Sequence, residues 1–338
     1  MNKISKSGKI EGKITCVMPC ILIEKAASTN AWRERVNIDA VSRLKLFLNS
    51  FLANFNQEDL CEFIILCPDN ECSAIDEVLR SLTDSKKYRV LSEKSLIPNI
   101  KNFTNEKLGI AGWYIQQAIK LAAYKIVKTK HYIVFDSDVI CIKKSSYKDF
   151  LVNNLPVLNI ETKDDFTRIY SSDFVERECA IKRARYSVSS MLLGYQQNLE
   201  LLDHFLGETP VILDTDNVEA LLNRLECFQN RDWCDVLADN TGWTEYGLYF
   251  AFLSAENVLE KTHSLVSCNY ILDLERSIWH PNSAYKLPRK YDYQHFFNTE
   301  LEFGYFIVIQ SWLSVEDWLP NHYKSKQNFY DEMSLWIA

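Results

Sequence analysis

The chain has 338 residues, 47% hydrophobic and 25% charged, enough apolar material to bury a large core. Its net charge of −7 excludes the basic face of a nucleic-acid binder, and no apolar run is long enough to cross a membrane. None of the nine glycines are spaced Gly-x-Gly, which excludes both a dinucleotide fingerprint and a Walker phosphate loop.

Residues 1–13 carry Lys3, Lys6, Lys9 and Lys13 among Ser and Gly. They read as a mobile basic tail, suited at most to peripheral contact with an anionic membrane. No secretory apolar stretch opens the chain, and its ten cysteines include no Cys-x-x-Cys pair. The expected setting is therefore reducing and cytoplasmic, at most at the inner face of a membrane, with free thiols acting as small hydrophobes.

A first buried strand is expected over 14–23, interrupted at Pro19, which cannot donate to a ladder. The helical spacing of Ile38, Val41, Leu44, Phe47, Leu48, Phe51, Leu52 and Phe55 predicts an amphipathic helix. A strand over 63–67, a helix near 73–82 and a strand over 88–91 follow. This alternation implies parallel strands with crossover helices, an α/β fold whose ligands sit beyond the carboxyl ends of the strands. From Gly112, the stripe Ile115, Ala118, Ile119, Ala122, Ala123 and Ile126 predicts a second buried helix, with Gln116, Gln117 and Lys120 on its other face.

That helix feeds the run His131 to Ile142, in which two apolar segments flank Asp136-Ser137-Asp138. Two carboxylates at i and i+2 near the end of a buried strand are costly unless something positive lies between them. A hard cation, Mn²⁺ or Mg²⁺, is the simplest partner and often accompanies a phosphate-bearing substrate. The alternative is a strand-to-turn corner at which both aspartates cap backbone amides.

Beyond Lys144 the pattern weakens. A strand is expected over 155–160, and 163–186 is too charged to assign. A further strand is expected over 187–194, then a helix over about 197–206. Asp216 is expected to cap a helix running through 218–237. Thr241 or Thr244 is expected to cap another through 254, which places Glu245 in its first turn. A late strand is expected over 303–311. Residues 312–338, rich in Trp and Tyr, form an extension packed on a single domain spanning 14–311.

Three motifs carry a resemblance: Gly112-Trp113-Tyr114-Ile115-Gln116-Gln117-Ala118-Ile119-Lys120-Leu121, Asp136-Ser137-Asp138, and Trp243-Thr244-Glu245-Tyr246-Gly247. In these residues, over about 14–311, the chain resembles the GT-A class of nucleotide-sugar glycosyltransferases, closest to a little-characterised bacterial GT-A-like group. Gly247-Leu248-Tyr249 keeps only part of that group's usual ending. The resemblance implies a mixed, mainly parallel sheet flanked by helices. It also implies a UDP-sugar or similar donor, a glycan or lipid-linked glycan acceptor, and a role in bacterial surface polysaccharide synthesis.

Asp138 is then the direct metal ligand, and Asp136 touches the metal's water shell or the ribose. His280 is the candidate third ligand; its alternative is an ordinary histidine beside Pro281. Gln116, Gln117, Lys120 and Ser137 are placed on the nucleotide sugar. An inverting transfer needs a carboxylate to deprotonate the acceptor hydroxyl. Glu245 is the candidate base, with Trp243 and Tyr246 as a platform for a sugar ring; its alternative is a first-turn cap. Two other classes stay open, a sugar-phosphate nucleotidyltransferase and a non-catalytic glycan-binding or scaffold protein.

Overall fold

The computed structural model of the chain describes residues 8–22, 40–196, 204–287, 300, 302–313 and 325–337. Its central sheet takes up the early apolar runs as β1 (Ile14–Pro19), β2 (Leu60–Cys67), β3 (Tyr88–Ser92) and β4 (His131–Val134). With β9 (Val211–Asp214) the order among the described residues is β3-β2-β1-β4-β9, parallel except for β9, which runs antiparallel to β4. Alternate residues along each strand face opposite sides. Cys16, Met18, Phe63 and Ile65 therefore join one core, while Val17, Ile64, Leu66 and Val134 join another.

Helices supply the two covers. α1 (Ala40–Asn54) and α2 (Cys72–Arg80) lie on the first face, where Phe47 and Phe51 pack on Phe63 and Phe135. α3 (Ala111–Ala122) lies on the second. Burial on both faces is why these strands read as continuous apolar runs and not as alternations. The mixed, mainly parallel sheet flanked by helices is the architecture expected from the sequence.

The chain leaves this sheet after β4. β5 (Val139–Cys141) pairs antiparallel with β11 (Phe306–Val308), a shorter strand than the expected 303–311. A further sheet holds β6 (Leu151–Val152), β7 (Leu155–Thr162), β8 (His204–Leu206) and β10 (Ser264–Val266). α4 (Lys163–Ile169) and α5 (Ser172–Leu192) fill the stretch that could not be assigned. The expected strand at 187–194 is instead the last part of α5. The apolar residues there pack as helix, and Val175, Cys179 and Ser189 at helical spacing are buried. Of the helix expected over 197–206, residues 197–203 lie outside the described residues, and 204–206 is β8.

The helix expected over 218–237 is two: α6 (Thr215–Gln229) and α7 (Trp233–Ala238). Asn230 ends the first in the left-handed conformation at φ 50°, and Asp232 caps the second. Asp214, not Asp216, caps α6, accepting the Asn217 N–H at 2.9 Å. Thr244 caps α8 (Glu245–Ala255) as expected, accepting the Gly247 N–H at 2.8 Å.

At the amino end, residues 1–7 lie outside the described residues, and Ile10 is anchored: its N–H donates to the Lys128 carbonyl at 2.9 Å. In the carboxyl-terminal stretch, 314–324 and 338 lie outside the described residues. There α9 (Lys326–Ile337) packs on α1, burying Phe329, Tyr330 and Met333 against Leu46, Ile140 and Ile307.

One core histidine makes a pH prediction. His263 is buried, with Nε2 2.9 Å from the Tyr249 hydroxyl and Nδ1 3.2 Å from the Pro156 carbonyl. Burial, with the nearby His131, holds its ring down from 6.5 to about 4. The unfolded chain takes up this proton near 6.5 and the folded one does not. The contribution to stability is therefore complete above that pH and is lost as the pH falls toward 4, about 3 kcal/mol in all. A ring NMR titration is expected to show His263 neutral at pH 5.5; a midpoint near 6.5 would contradict it.

Candidate active site

The Asp136-Ser137-Asp138 turn stands where the chain steps from β4 to β5, at the carboxyl end of the central strands. Phe135 N–H still donates to the Val17 carbonyl at 2.9 Å, after which the turn is held from other elements. Asp136 N–H donates to Thr209 Oγ1 at 3.0 Å, and Ile309 N–H donates to the Asp138 carbonyl at 3.2 Å. A cavity of about 880 Å³ opens over the turn; Asn70, Gln116, Asp138, Glu208 and Tyr246 are among its lining residues. That volume suits a ligand the size of a cofactor or nucleotide sugar.

Asp138 is 8% exposed. Oδ2 accepts the Ser311 N–H at 3.1 Å, whereas Oδ1 is buried with no hydrogen-bond partner among the described residues. Burial, and then the neighbouring Asp136 charge, push its carboxyl up to about 6 against the pull of Arg43. Arg43, buried on α1, donates through Nε to Ser137 Oγ at 3.3 Å. An orphaned carboxylate oxygen beside a second carboxylate is a donor set that fits a hard divalent cation.

Lys120 is the electrostatic centre of the site. Its ammonium lies 2.7 Å from Asp136 Oδ1, 2.7 Å from Glu245 Oε1 and 3.3 Å from the Tyr246 hydroxyl. Burial works against its charge, but Asp136 and Glu245 outweigh it and hold Lys120 well above the ordinary lysine range. Burial raises the Glu245 carboxyl, and Lys120 pulls it back only in part. Gln117 Oε1 accepts the Glu245 N–H at 3.2 Å, so α3 grips the first turn of α8 at two points.

The expected site residues therefore divide. Asp136, Ser137, Asp138, Gln116, Gln117, Lys120, Glu245 and Tyr246 all line the one cavity. Gln117 and Lys120 are each 3% exposed: Lys120 spends its ammonium on α8 and Asp136, while Gln117 accepts the Glu245 N–H and donates to the Trp113 carbonyl of its own helix. Trp243 is no sugar platform. It is wholly buried against Tyr114, and its indole N–H donates to the Leu237 and Asn240 carbonyls.

Nor does His280 join the triplet. Its ring packs on Phe174 and Tyr170 with centroids 4.5 and 5.4 Å away, and burial holds it down to about 4. Among the described residues no three His, Cys, Asp or Glu side chains gather as a metal cluster. Any cation here would take Asp136 and Asp138 from the protein and complete its shell with water or phosphate oxygen, as Mg²⁺ commonly does.

Sequence reading missed Arg43, Lys182, Arg185 and Glu208. A signal existed for two of them. Arg43 interrupts the buried stripe of Ala40, Leu44 and Phe47, and Lys182 continues the stripe of Val175 and Cys179.

The sequence model of a family of unknown function, DUF6492, matches residues 11–333. The chain belongs to that family. No curated protein matches this DUF6492 chain. Among solved structures, it is similar to mouse xyloside xylosyltransferase 1 in its apo form, at 11% identity and a TM-score of 0.42. The match covers 91% of this chain and 99% of the mouse one. No described helix of the DUF6492 chain is long and apolar enough to cross a membrane.

Proposed function

We propose that this protein is a metal-dependent glycosyltransferase of GT-A type that moves a sugar from a nucleotide diphosphate to a glycan acceptor, in bacterial surface polysaccharide synthesis. The observation that carries the reading is Asp138 Oδ1, a buried carboxylate oxygen without a partner among the described residues, beside Asp136 at the carboxyl end of a mainly parallel sheet, in a residue that lines a cavity of about 880 Å³. Asp138 and Asp136 would hold Mn²⁺ or Mg²⁺, which as a Lewis acid neutralises charge on a departing diphosphate.

The chain's own residues do the rest. Gln116 and Ser137 line the cavity where the nucleotide sugar is placed, and Glu245 takes the proton of the acceptor hydroxyl in an inverting transfer. Lys120 keeps Glu245 and Asp136 in place; its distance to each favours positioning over contact with phosphate. Tyr246 remains as an acceptor contact, and Trp243 does not.

Calorimetry with UDP and Mn²⁺, followed by a screen of nucleotide sugars for hydrolysis or transfer, tests the reading. Metal-dependent UDP binding and turnover of at least one donor are expected. Turnover undiminished in excess chelator would remove the metal. No nucleotide binding at all would favour a glycan-binding protein.

A further inference from the structure

A second polar group lines the same cavity away from the metal turn. Lys182 Nζ lies 3.0 Å from Glu161 Oε2 and 3.2 Å from Glu208 Oε1, and Arg185 Nη1 lies 3.2 Å from that same Glu208 oxygen. Two cations thus pin one oxygen of Glu208. Its Oε2 and the remaining Arg185 N–H groups have no hydrogen-bond partner among the described residues, and both side chains are about one-third exposed, at 34% and 32%.

Glu208 and Arg185 are also held in place. The Arg185 guanidinium lies over the Trp113 ring, 5.5 Å from its centroid. Thr209, next to Glu208, accepts the Asp136 N–H, which ties this strand end to the metal turn. Trp279 lines the cavity too and buries an indole N–H with no acceptor among the described residues.

A fixed acceptor oxygen beside fixed N–H donors matches neighbouring hydroxyls, one donating to the carboxylate and one accepting from the guanidinium. An acidic substituent fits less well, because the Arg185 charge is already compensated by Glu208. The group belongs to α5 and the β8–β9 junction, whereas a nucleotide is expected over the ends of β1, β2 and β3. We propose that Glu208 Oε2 and Arg185 form a subsite for a vicinal diol of a neutral acceptor sugar. Its assignment to the acceptor rests on the glycosyltransferase reading above.

Saturation-transfer NMR tests it with the methyl pyranosides of glucose, galactose, mannose and xylose as probes. At least one is expected to give ring-proton signal that falls fivefold or more in Glu208→Gln and in Arg185→Met. The same signal is expected unchanged in Arg231→Ala, at an exposed ion pair with Asp239 outside the cavity. Should Glu208→Gln not fold, the one-third-exposed Arg185 decides, and melting curves report folding for each variant. No pyranoside signal in the wild type, or signal undiminished in the folded variants, overturns the subsite. UDP calorimetry on the same samples separates the two readings. Diol-dependent signal without UDP binding would overturn the transferase reading and leave the subsite standing.

Discussion

Asp138→Asn is expected to lower sugar transfer by about 10³-fold or more while leaving the protein folded and more stable at neutral pH. The loss follows because the amide cannot supply the anionic oxygen that the cation needs, and most of the acceleration in such a transfer comes from electrostatic stabilisation of the leaving group. The gain in stability follows from burial. With its carboxyl raised from 3.8 to about 6, Asp138 is ionised at pH 7 in a place that disfavours the charge.

The sign can be followed through the titration. A raised carboxyl contributes stability that is fully present below 3.8 and lost as the pH rises through 6. In chelator, Asn at this position is therefore expected to stabilise by up to about 3 kcal/mol at pH 7, and by only about 0.5 kcal/mol at pH 4. The amide oxygen still accepts the Ser311 N–H, so the turn keeps that anchor. Urea unfolding at the two pH values checks the stability, and donor turnover checks the activity. Full turnover in the variant would end the metal assignment.

Lys120→Met is expected to be the most destabilising single change in the site. It removes the ammonium that lies 2.7 Å from both Asp136 and Glu245 and leaves the buried Glu245 carboxylate without its counter-charge, beside an Asp136 that is one-third exposed. Breaking a buried pair from one side costs about 3–5 kcal/mol, because the remaining charge has lost both water and partner. Adding Glu245→Gln should restore a large part of that loss, since the amide needs no counter-charge. A urea series on the two single variants and the double variant measures this coupling. If Lys120→Met changed stability by under about 0.5 kcal/mol, the pairing would not hold in solution.

Local signals located the sheet well. The runs at Ile14–Pro19, Leu60–Cys67 and His131–Val134 are apolar because both their faces are covered, and that pattern is visible in one dimension. The Asp136-Ser137-Asp138 turn stood out for the same reason: two carboxylates after such a run are conspicuous against the cost of burying them. The Thr244 cap was also legible, since the first turn of a helix must satisfy its own free N–H groups.

Other features failed for physical reasons that can be named. In α5, Ser189 and Ser190 are buried where α8 comes close at Gly247, where an added Cβ would lie 2.7 Å from Ser189 Oγ. Small polar residues at such a contact hide the buried face from any hydrophobic pattern, so 187–194 looked like a strand, while the density of charge over 163–186 left that stretch unassigned. Trp243 looked like a sugar platform because an aromatic beside Glu and Tyr has the right chemistry. Its own hydrogen bonds to Leu237 and Asn240 instead make it a core residue.

The mainly parallel sheet, its covering helices and the place of Asp136 and Asp138 just after β4 are all written in the order of residues. They follow from burial patterns within a few positions of chain. What stands beside that turn is a matter of packing. Lys120 meets Glu245 across 125 positions of chain, and Arg43 reaches Ser137 across 94. A charge is buried only where a partner compensates it. Which partner that is depends on how helices from distant parts of the chain pack on the sheet.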